Sequence, residues 1–105
     1  MTTLRQALEE YLALRRSVGF QLREAGKGLR EFVTFLAQHR AAYITQALAL
    51  AWAQQPQSPV QRVHRLTFVR GFARYRSATD PRTQIPPPGL WKRQVERDQV
   101  SSARG

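Results

Sequence analysis

Residues 58–75 read S-P-V-Q-R-V-H-R-L-T-F-V-R-G-F-A-R-Y, the best-marked helix in the chain. Ser58 offers a side-chain acceptor at the N-cap, Pro59 suits a first helical position that needs no backbone N–H, and Gln61 completes a capping box. Beyond that start Val63 and Leu66 face one way, and Phe68, Phe72 and Tyr75 another. So broad an apolar surface implies a central helix touched by several neighbours. Gln61, Arg62 and Arg65 cluster on the remaining side of the first two turns, and Arg70 and Arg74 form a separate i, i+4 pair. Asp80-Pro81 stops the helix. Residues 32–79 contain no Asp or Glu at all. A helix that carries arginine and has no acid nearby is suited to a polyanion.

Three further helices are expected upstream. Thr3 caps the first, with Gln6 as its capping-box partner; Leu4, Leu8, Tyr11, Leu12 and Val18 recur at helical spacing up to a Gly19 stop. Its Arg5, Arg15 and Arg16 fall mostly on the wet side. The second spans about residues 22–39, with Leu29, Phe32, Val33 and Leu36 as its apolar stripe. Gly26 and Gly28 weaken its first half, each by about 1 kcal/mol against alanine, so it starts late or bends there. Arg23, Lys27 and Arg30 share one face, either as a ligand surface or as a solvated face beside Glu24 and Glu31. The third, short helix is capped by Thr45, ends near Gln54 and buries Leu48, Ala51 and Trp52. After residue 82, R-T-Q-I-P-P-P-G-L reads as an extended, polyproline-like segment, and the charged stretch past Leu90 as a mostly disordered tail. The division expected is a helical domain, 1–80, and a Pro-rich linker with tail, 81–105.

Composition narrows the function. The 105 residues suffice for one domain with one modest core, and 42% of them are hydrophobic, too many for a disordered polyelectrolyte. Formal net charge is +10, and 15 of the 17 basic residues are arginine. The planar guanidinium fork fits phosphate and guanine edges, although a GC-rich coding sequence produces the same bias. There is no cysteine, and His39 and His64 lack metal-ligand spacing, so neither a metal nor another cofactor is expected. The N-terminus does not read as a signal peptide, and no apolar run approaches the roughly 18 residues that cross a bilayer. No membrane association is expected, and the expected location is cytoplasmic, beside the nucleoid.

Enzymatic machinery is not evident. Gly26 and Gly28 flank Lys27 without a phosphate-loop pattern, Glu9 and Glu10 read as solvated charge, and no nucleophile–base set can be assembled. No small-molecule substrate is expected either. Nucleic acid is the positive case. A helix N-terminus such as residues 58–61 presents free N–H groups to phosphate, and Arg62 and Arg65 project from the next turn. His64 either adds a contact or is simply buried or solvated, and Phe32, Phe35, Trp52, Phe68 and Phe72 read as core.

The motifs also occur in a telling order: L-E-E-Y-L-A-L-R-R-S-V-G-F, L-R-E-F-V-T-F-L, I-T-x-A-x-A-x-x-W-A, R-L-T-F-V-R-G-F-A-R-Y and D-P-R-T-x-I-P-P-P. Over about residues 4–89 this resembles the N-terminal core-binding, SAM-like domain of tyrosine recombinases and phage-type integrases. The resemblance implies an all-α domain of four to five helices with an extended Pro-rich C-terminal linker. It implies a role in DNA integration or site-specific recombination by clamping one side of duplex DNA, with a separate catalytic domain on the other side. Carried over by position, the DNA-contact candidates are Arg23, Lys27, Arg30, Gln61, Arg62 and Arg65, with Arg70 open between DNA and packing.

The family's catalytic arginine, lysine, histidine and tyrosine motifs cannot be placed in this chain. Tyr11, Tyr43 and Tyr75 fall in the wrong domain to be nucleophiles. The expectation is therefore a non-enzymatic, truncated or frameshifted recombinase product. Two rivals stand beside DNA binding: a helical interaction domain that pairs with full-length recombinase protomers, and a remnant with no function.

Overall fold

The computed structural model describes residues 3–17 and 23–87. The expected Gly19 stop, the Leu22 start and the tail past Leu90 lie outside the described residues. Within them the chain is all-helical: α1 (Leu4–Ser17), α2 (Arg23–Gln38), α3 (Gln46–Ala53) and α4 (Pro59–Ser77), with no strand.

Local chemistry sets the helix starts. At α1 the capping box closes both ways: the Thr3 amide donates to Gln6 Oε1 at 2.9 Å, and the Gln6 amide donates to Thr3 Oγ1 at 3.1 Å. Thr45 Oγ1 accepts the Leu48 amide at 3.2 Å, and Ser58 Oγ accepts the Gln61 amide at 3.5 Å. α2 ends on a left-handed residue, Arg40, with φ of 55°. The Ala41 amide donates to the Leu36 carbonyl at 2.9 Å and the Arg40 amide to the Ala37 carbonyl at 3.0 Å, the paired bonds of a Schellman cap.

α2 and α4 each touch all three other helices, whereas α1 and α3 do not meet. The central pair is therefore flanked by α1 on one side and α3 on the other. Leu8 and Leu12 from α1, Leu29, Phe32 and Leu36 from α2, Trp52 from α3, and Val69 and Phe72 from α4 fill one continuous core. Burying a side chain of this size contributes about 1.5–3 kcal/mol. Phe32 and Trp52 pack with ring centroids 5.2 Å apart.

Two expectations need correction. α2 runs through Gly26 and Gly28, because both lie where helices approach closely. A β-carbon on Gly28 would stand 3.7 Å from both Phe68 and Trp52, and one on Gly26 would stand 3.6 Å from Leu12. The buried side of α3 is Ala49, Trp52 and Ala53, with Leu48 half-buried and Ala51 exposed. α3 reads Q-A-L-A-L-A-W-A, so it has no polar face to fix its phase, and packing against α2 and α4 decides it.

The start of the Pro-rich stretch lies against the helical body. Asp80 is its hub, only 5% exposed. It accepts from Arg82 Nε and Nη2, both at 3.0 Å, and from the Arg82 amide at 3.0 Å, while Arg76 Nη2 lies 3.9 Å away. These bonds, the Arg82 side chain foremost, hold the Asp80 carboxyl below the usual aspartate range against the opposing effect of burial. Arg82 also stacks over Tyr43 at 4.8 Å. Next, the Gln84 amide donates to the Ile44 carbonyl at 2.9 Å, and Gln84 Oε1 accepts the Gln46 amide at 2.8 Å. Pro86 is fully buried.

Candidate nucleic-acid interface

Arg23, Lys27 and Arg30 all lie exposed on α2. The sequence offered Glu24 and Glu31 as neighbours for them, but the carboxylate that reaches this face comes from α1. Arg30 Nε donates to Glu9 Oε1 at 3.0 Å and Arg30 Nη2 to Glu9 Oε2 at 3.3 Å. The hydrogen bond lowers the Glu9 pKa and raises that of Arg30. Both side chains are about half exposed (46% and 51%), so water screens the pair and it adds little stability. Its effect is to orient the Arg30 fork.

At the start of α4, Gln61 is exposed in the first turn beside the Ser58 cap. Arg62 and Arg65 are half-buried and hold the α3–α4 turn together. Arg62 Nε donates to the Pro56 carbonyl at 2.6 Å. Arg65 Nη1 donates to the Trp52 carbonyl at 3.0 Å and to Gln55 Oε1 at 3.1 Å. Its guanidinium lies 4.3 Å from the Trp52 ring centroid, a cation–π contact. The Trp52 carbonyl also accepts the Gln55 amide at 3.2 Å, so Arg65 adds a second donor at the end of α3. A guanidinium has five N–H donors, so these bonds aim the forks without exhausting them. This anchoring role was not legible in the sequence, because the acceptors are backbone carbonyls.

Trp52 links the two groups. It meets the Gly28 position of α2 on one side and the Arg65 fork of α4 on another. Lys27, next to Gly28, and the first turns of α4 therefore flank a single helix crossing. His64 is exposed on α4, with its ring 6.4 Å from that of Phe68. The tyrosines pack: Tyr11 against Phe72 and Tyr75, and Tyr43 beneath Arg82. Among the described residues, no group of three or more histidines or carboxylates is placed to hold a metal, and no helix is long and apolar enough to cross a membrane.

Arg15, Arg16, Arg70 and Arg74, which no sequence pattern ties to the candidate site, line an open groove of about 1170 Å³ between α1, α2 and α4, together with Arg23 and Arg30.

With this geometry in hand, comparison with known proteins adds one finding. The chain is 54% identical over 92 residues to "Putative integrase/recombinase y4rB" of Sinorhizobium fredii. The match takes in 86% of this chain but 29% of that protein, so the chain corresponds to less than a third of its relative's length. No protein-family model matches the chain, and no solved structure does.

Proposed function

We propose that this chain is a duplex-DNA-binding domain of integrase/recombinase type, which clamps DNA in and beside the major groove. The observation that carries the reading is the pairing of two basic groups across one helix crossing. Exposed Lys27 adjoins Gly28 on the α2 side, the capped, acid-free start of α4 stands on the other, and Trp52 meets both the Gly28 position and Arg65. The name of the 54%-identical relative supports the class. Arg23, Lys27 and Arg30 supply charge from α2. The Gln61 side chain offers a donor in the first turn of α4, where the helix dipole favours an anion. Arg62 and Arg65, braced by Pro56, Trp52 and Gln55, reach phosphates or base edges with pre-oriented forks. Strand cleavage and rejoining are assigned to none of these residues.

The test is fluorescence anisotropy with labelled duplex DNA across a salt series. Charge reversal at Arg62 or Arg65 would break the α3–α4 turn as well as any DNA contact, so Lys27→Glu/Gln61→Glu, at two exposed positions, is the informative variant. The expected result is salt-dependent wild-type binding that weakens roughly tenfold or more in the variant. If the variant binds as wild type does, this face is not the interface, and association with a recombinase protomer becomes the better reading.

A further inference from the structure

We propose that the groove between α1, α2 and α4 is a second seat for the DNA phosphate backbone, with Arg70 and Arg74 as its main contacts. The proposal rests on the DNA-binding reading above and extends it from Arg23 and Arg30 to Arg70 and Arg74, which that reading does not use.

Charge is the first reason. Arginines from three helices converge on the groove: Arg15 and Arg16 from α1, Arg23 and Arg30 from α2, and Arg70 and Arg74 from α4. Among the described residues Glu24 is its only lining carboxylate, and Arg30 is already engaged with Glu9. Arg23, Arg70 and Arg74 make no ion pair with a carboxylate among the described residues. Like charges one turn apart on a helix destabilise it, and α4 has no acid anywhere to offset Arg70 and Arg74. A surface kept merely soluble would mix the two signs. This one leaves a cost that an external polyanion removes.

Shape is the second reason. Gly71 lies in the groove wall, and a β-carbon there would come within 2.8 Å of the Tyr11 hydroxyl. The Tyr11 ring is held by Phe72 and Tyr75, at centroid distances of 5.7 and 5.4 Å. Glycine thus keeps this wall low, and Tyr11 brings a hydroxyl to the same opening as the arginines. Arg70 and Arg74 are separated by a rise of about 6 Å along α4. The groove also adjoins the first interface: Arg23 and Arg30, which supply charge there from α2, line its α2 wall.

The experiment measures duplex-DNA affinity against salt for five versions of the whole chain: wild type, Arg74→Gln, Arg70→Gln/Arg74→Gln, Arg70→Lys/Arg74→Lys and the charge-matched control Arg5→Gln. Arg74 and Arg5 are both exposed, so neither change threatens folding. Arg74→Gln is expected to reduce the magnitude of the log–log slope by about 0.9, Arg70→Gln/Arg74→Gln by about 1.8, and Arg70→Lys/Arg74→Lys to keep it. Arg5→Gln should leave the slope near wild type. Equal slopes for wild type and Arg74→Gln overturn the groove while leaving the first interface standing. Equal losses in Arg74→Gln and Arg5→Gln also overturn it, since overall charge then explains the effect. A wild type that shows no salt-dependent DNA binding overturns both proposals. Polyglutamate that competes as well as DNA of equal charge, and loses its effect in Arg74→Gln, would assign the groove to an acidic polypeptide instead.

Discussion

Arg40 holds a backbone conformation, φ of 55°, that a residue with a β-carbon adopts only at a cost of about 1–2 kcal/mol. The Schellman bonds around it show why the fold accepts this: they satisfy the carbonyls of Leu36 and Ala37 where α2 ends. Glycine would take the same conformation without strain. Arg40→Gly is therefore expected to stabilise the domain by about 1 kcal/mol, seen as a rise of roughly 4–8 °C in melting temperature for a domain of this size. An unchanged or lower melting temperature would mean that the exposed arginine side chain contributes more than its backbone costs. Arg62 and Arg65 teach the complementary lesson. In sequence they count toward a basic face; in the structure they also complete the hydrogen bonding of the α3–α4 turn.

At the level of elements, Gly28 governs how closely α2 meets Trp52 and Phe68. A methyl group at 3.7 Å from both rings makes ordinary contact. Gly28→Ala should then gain up to about 1 kcal/mol in chemical denaturation from better helix propensity. Gly28→Val has no such room for its second branch and should lose about 1–3 kcal/mol by pushing the helices apart. A stabilising valine would show that the crossing is loose. The helices themselves were largely legible, because caps are local: Thr3–Gln6, Thr45 and Ser58–Pro59 announce their starts within four residues. The phase of α3 was not, since alternating alanine and leucine offer no polar face and only contact with α2 and α4 selects the buried side. The candidate site was legible as charge but not as geometry. Arg23, Lys27 and Arg30 were found as a stripe, yet the reach of Glu9 to Arg30, and of Arg70 and Arg74 toward α1, depends on helix packing that no local pattern encodes.

For the molecule as a whole, Asp80 ties the end of α4 to the segment that follows it. Its pKa is lowered in the folded state, so its contribution is complete above the ordinary aspartate range and disappears as pH falls through the lowered value. Asp80→Asn lacks that contribution at every pH. The difference in melting temperature between wild type and Asp80→Asn should be full near pH 6 and close progressively below about pH 4. A difference independent of pH would mean that the carboxylate acts by shape rather than charge. Beyond Asp80, Gln84 brackets Ile44 and Gln46, and Pro86 is buried, so residues 80–86 are held to the connection ahead of α3. Polypeptide continuing past residue 87 thus departs from a fixed point on the helical body. Under the proposed function, any module joined there by a short connection would search a small volume next to the duplex, and its effective concentration over that DNA would be set by the bracket at Gln84 as much as by its own affinity.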